Sequence, residues 1–65
     1  MYKLGDLVRI NLPYFHVFHD QIGKIIEINN ECYNEPVFLV EYINIEDRRH
    51  YFTEGCFSKV DINDL

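Results

Sequence analysis

Gly5-Asp6-Leu7-Val8-Arg9-Ile10, Ile22-Gly23-Lys24-Ile25-Ile26-Glu27-Ile28 and Val37-Phe38-Leu39-Val40-Glu41-Tyr42 are the stretches whose reading decides the fold. Each is short, rich in β-branched or aromatic residues and bounded by Gly, Pro, Asn or Asp, which is how a strand reads. Arg49-His50-Tyr51-Phe52-Thr53 and Ser58-Lys59-Val60 add two more, so the chain reads as all-β, five strands in one small barrel.

The period-two pattern assigns faces. Val8 and Ile10 share one side of the first strand, roughly Gly5 to Asn11, and Leu12-Pro13 ends it because proline lacks a donor. Strand two, Ile22 to Asn29, is expected to set Ile22, Ile26 and Ile28 against Gly23, Ile25 and Glu27. Gly23 suits a bulge or a close approach of backbones. In strand three, Val37 to Ile43, Glu41 lies in phase with Val37 and Leu39, so the Phe38, Val40 and Tyr42 side is the expected core face. Asn44 to Arg48 reads as a tight hairpin into strand four, Arg49 to Thr53. Thr53-Glu54-Gly55-Cys56-Phe57 suits one capped 3-10 turn before a last strand from Ser58 to Asp61.

Two connections are unlike each other. Leu12 to Gln21 is crowded with rings, Tyr14, Phe15 and Phe18 among them, whereas Asn29 to Pro36 is polar and turn-rich. Asp61 to Leu65 is expected to fray unless Ile62 or Leu65 docks.

The order of elements is similar to that of SH3-like barrels. The residues Gly5-Asp6-Leu7-Val8-Arg9-Ile10, Gly23-Lys24-Ile25-Ile26-Glu27-Ile28, Val40-Glu41-Tyr42 and Tyr51-Phe52-Thr53 resemble the pattern of small bacterial and phage SH3-like, Tudor-like and KOW-type domains. The resemblance covers nearly the whole chain and implies one SH3-like β-barrel domain over residues 1–65, five-stranded, with one 3-10 turn before the last strand. Such barrels host peptide binding, methylated side-chain reading, RNA and ribosome contacts and subunit assembly. The Ala-Leu-Tyr-Asp-Tyr signature and paired Trp of eukaryotic signalling SH3 domains are absent, so a proline-rich ligand does not carry over.

Size and charge narrow the function classes. A chain of 65 residues buries only about 60% of its unfolded surface, which leaves no room for a core and a deep catalytic cavity together. No enzyme, catalytic residue or cofactor is expected. Eleven Asp and Glu against six Lys and Arg give a net charge of −5, spread along the chain, and a phosphate backbone needs a basic stripe instead. Direct nucleic-acid binding is therefore not expected, although the KOW resemblance would place an RNA or ribosome contact on Lys24, Arg48, Arg49 and Lys59. Where such a binder would carry Lys and Arg, this chain has Glu27, Glu31 and Glu35.

The first strand follows Met1-Tyr2-Lys3-Leu4 directly, with no signal peptide read, so a cytoplasmic setting with reduced Cys32 and Cys56 is expected. No apolar run reaches bilayer length, so no membrane role is expected. His16-x-x-His19 is the lone close pair of metal-ligand type, with His50, Cys32 and Cys56 isolated, short of the two pairs that zinc favours; no metal is expected. The histidines do bring a charge change within reach of neutral pH.

What remains is a binding face. Tyr14, Phe15 and Phe18 in the long loop, Tyr33 in the polar loop and Phe57 after the helical turn supply rings for a groove or a cation cage. Asp20, Glu31, Glu35 and Glu54 rim them, which favours a protein partner with a basic surface or segment. The expectation is a small acidic protein-binding module or inhibitor, similar to those phages direct at host machinery, with nucleic-acid mimicry as its sharper form. A monomer or weak homodimer fits this reading.

Overall fold

Strand-forming sequence becomes five strands in the computed structural model, which describes residues 2–14, 17–30, 34–61 and 63. They are β1 (Leu7–Ile10), β2 (Ile22–Asn29), β3 (Val37–Tyr42), β4 (Arg49–Thr53) and β5 (Phe57–Lys59), with one 3-10 turn, Glu54–Cys56, before β5. All pairings are antiparallel, in the order β4-β3-β2-β1-β5. No ladder among the described residues joins β4 to β5, so this is an open all-β sheet and not a closed barrel. No helix among them is long and apolar enough to cross a membrane.

The core lies on one face and follows the alternation. Val8, Ile10, Ile25 and Val40 are fully buried and form its aliphatic centre. Two aromatic groups flank this centre, one at each end of β3. At the Phe38 end, Tyr2, Phe38 and Phe57 meet edge to face, with Tyr2 and Phe57 ring centres 4.9 Å apart. At the Tyr42 end, Phe18, Tyr42 and His50 form a second group, and His50 reaches from it to Phe52, which stands opposite Phe38. No described polar or charged residue is buried.

β2 departs from simple alternation. Ile25 pairs with Val40 but Glu27 pairs with Leu39, so Ile26 is an extra residue in a β-bulge. Gly23 and Ile25 face the core before the bulge, and Ile28, opposite Phe38, packs against it afterwards. The expected grouping of Ile22, Ile26 and Ile28 is therefore corrected: one inserted residue reverses the phase of everything after it. The bulge also bends the strand, so its first half serves β1 and its whole length serves β3.

Gly23 instead meets the expectation of a close approach. A Cβ there would run into Val40 Cγ1 and lie 2.9 Å from the Glu41 carbonyl oxygen. Two boundaries and one cap differ from expectation. The β3 to β4 connection is Ile43 to Arg48, with Asp47 at φ 59°, longer than the tight hairpin expected because Ile45 turns back onto the core. Thr53 precedes the 3-10 turn without capping it through its side chain, its Oγ1 lying 3.7 Å from Cys56 Sγ instead. β5 begins at Phe57, opposite Ile10.

Candidate functional site

The long loop is tied down along its stem. The Ile10 amide donates to the Gln21 carbonyl at 3.0 Å and the Asp20 amide to the Ile10 carbonyl at 2.8 Å, which continues the β1 to β2 pairing into the loop. Asp20 takes φ 70°, a left-handed turn that Asp tolerates better than most side chains. The Gln21 amide donates to the Phe18 carbonyl, and the Leu12 amide donates to His19 Nδ1 at 3.2 Å. Leu12 and Phe18 are half-buried against the core, the Phe18 ring lying 4.6 Å from Tyr42 and 5.3 Å from His50.

Beyond this anchor the loop presents Tyr14 and Val17, 88% and 89% exposed. Both are apolar in body. Asp20 is exposed too, its carboxylate 3.5 Å from His19 Nε2. Through Phe18 the loop rests on the end of the sheet where Tyr42 and His50 lie. The connection leaving that end carries exposed Ile43, Glu46 and Asp47.

The other expected site residues are placed differently. Phe15, Glu31 and Tyr33 lie outside the described residues. Phe57 is only 6% exposed, packed on Tyr2 and Phe38, so it is a core residue and not a contact residue. Glu35 and Glu54 are exposed, but they flank the Val37 and Thr53 end of the β3 to β4 pair. Phe18 rests at the Tyr42 end, and β3 runs roughly 17 Å between those ends at about 3.3 Å per residue. Of the three connections, the 3-10 turn meets the start of the long loop, the Asn11 amide donating to the Cys56 carbonyl at 2.8 Å, whereas Glu35 lies at the end of β3 away from Phe18.

Val17, Ile43, Glu46 and Asp47 are the additions. Val17 shares helical spacing with Tyr14 and Phe18, but only the anchoring of Phe18 shows which of the three are left outside. The β3 to β4 acids look in sequence like an ordinary solvated turn.

Basic groups are dispersed. Lys59 Nζ lies 3.7 Å from Asp6 Oδ2, and Lys24 and Arg49 stand directly opposite Glu41 on either side. At the anchor, the Tyr42 hydroxyl and His50 Nδ1 are 3.0 Å apart, and burial pushes the Tyr42 hydroxyl up to about 12. A shallow depression of about 310 Å³ is lined, among the described residues, by Glu27, Ile28, Asn29 and Asn30. No protein-family model, curated protein or solved structure matches this chain.

Proposed function

We propose that this chain is a small acidic protein-binding module whose long-loop tip engages a basic segment of a partner protein. The observation that carries the reading is the pair Tyr14 and Val17, almost fully exposed on a loop whose stem is anchored by Phe18 and by backbone bonds. Exposed apolar side chains held by a built scaffold reduce the ordering cost of association. Asp20, Glu46 and Asp47 supply negative charge toward the same end, which complements Lys or Arg on the partner.

The strand order and the lone 3-10 turn before β5 support the finer, SH3-like version of the fold. An inhibitor role, phage-encoded and mimicking nucleic acid, is a sharper form of the same proposal. The placing of Glu35 at one end of β3 and of Glu46 and Asp47 at the other supports plain protein recognition over mimicry of one continuous phosphate track. An RNA contact through Lys24, Arg48, Arg49 and Lys59 gains no such support, since Lys59 is paired and Lys24 and Arg49 flank Glu41.

The test is a peptide array of Lys- and Arg-containing segments, each with flanking apolar residues, probed with the wild type and with a Tyr14→Ser, Val17→Ser double variant at low and moderate salt. Spots bound by the wild type and lost by the variant, at an unchanged melting temperature, support the reading. Equal binding by both proteins, or an RNA shift at moderate salt with no peptide bound, overturns it.

A further inference from the structure

We propose that His19 is a pH-sensitive clasp on the long loop, closed when its imidazole is neutral and opened by protonation. The inference rests on the reading of that loop as the binding element and concerns how its shape is regulated. His19 Nδ1 accepts the Leu12 amide at 3.2 Å, and Nε2 faces the Asp20 carboxylate at 3.5 Å. An acceptor at Nδ1 requires the neutral tautomer with its proton on Nε2, the nitrogen that faces the carboxylate.

Protonation changes both contacts in the same direction. It places a hydrogen on Nδ1 against the Leu12 N–H, so two donors confront each other and the bond is lost. It also gives the ring a full positive charge, which strengthens the pull of Asp20. The imidazolium is drawn to Asp20 and away from Leu12. Among the described residues, Arg9 of β1 brings a further charge to this arrangement, its Nη1 donating to the Asp20 carbonyl at 3.4 Å. Tyr42 of β3 and His50 of β4 pack against the neighbouring Phe18. Leu12 is where the chain leaves β1 for Pro13 and Tyr14, so its release loosens one arm of the loop while the Phe18 arm stays in place.

The test uses the free protein, so it can be read whether or not a peptide is ever bound. The Leu12 amide resonance and its exchange protection factor are followed by NMR from about pH 8 to about pH 5, the span in which imidazoles change charge. The His19 ring signals are followed in the same samples. The expected result is that Leu12 titrates with the midpoint of His19 and loses protection on the order of fivefold as the bond is lost. His19→Asn supplies a non-titrating oxygen near the place of Nδ1 and is expected to hold Leu12 across the range. Constant Leu12 protection while His19 titrates overturns the clasp, as does a transition that survives in His19→Asn. Ring nitrogen shifts showing the proton on Nδ1 at high pH overturn it without any variant. Peptide binding alongside any of these three results keeps the binding reading and removes only the clasp.

Discussion

Gly23→Ala tests the packing of the sheet at its tightest point. The added methyl would meet Val40 Cγ1 and lie 2.9 Å from the Glu41 carbonyl oxygen and 3.3 Å from its carbon. Val40 is fully buried, and the Glu41 carbonyl belongs to the backbone of β3, which is paired on both sides. Neither neighbour is the free end of a flexible side chain, so the cost belongs in the upper part of the overpacking range, about 2–3 kcal/mol. A domain of this length has a total stability of roughly 3–10 kcal/mol. With an unfolding entropy of roughly 0.14 kcal/mol per kelvin for the whole chain, the melting temperature should fall by about 15–20 °C. Thermal melts by circular dichroism, with urea titration to confirm an unchanged m value, measure this. Gly55→Ala, where a Cβ meets nothing within 4 Å, is the control and should stay within about 0.5 kcal/mol of wild type. A Gly23→Ala protein melting within about 5 °C of wild type would refute the close approach of β2 and β3.

Gly5 has φ 89° with open space around it, so Gly5→Ala should cost about 1–2 kcal/mol from backbone strain alone, read in the same urea titration. Phe18→Ala removes the anchor of the loop from Tyr42 and His50 and should cost about 2 kcal/mol, below the range for a fully buried Phe, with faster amide exchange at Leu12 and Gln21. Tyr42→Phe should cost about 1 kcal/mol at neutral pH through loss of the hydroxyl contact with His50. Tyr42 also sets an alkaline limit. Its folded value of about 12 lies above the ordinary 10.0, so its contribution is complete below pH 10 and is lost as pH rises toward 12. Wild type should lose on the order of 2 kcal/mol over that interval while Tyr42→Phe loses less, by denaturant melts at each pH.

Much of the fold was legible because alternation is a local property. The bounds of β2 and β4 and the core face of β3 could be read from the residues themselves, and Glu41 in phase with Val37 and Leu39 was enough to turn Phe38, Val40 and Tyr42 inward. The bulge at Ile26 was not legible. Ile25-Ile26 offers two equivalent side chains, and only pairing with Val40 and Leu39 determines which one is extra. Phe57 failed for a related reason: a ring next to a turn looks available until its partner Ile10 is known.

The candidate site divides in the same way. By itself the sequence determined that the chain is acidic, all-β in pattern and unusually aromatic between Leu12 and Gln21. Composition and period are properties of neighbours along the chain, and they survive without any knowledge of the fold. Only the tertiary structure decided that Phe18 turns inward onto Tyr42 and His50 while Tyr14 and Val17 stay out. It likewise set Glu35 at the end of β3 away from Phe18 and, among the described residues, left β4 and β5 unjoined. Each of those outcomes depends on contacts between segments far apart in sequence, where burial of one ring leaves no room for the next.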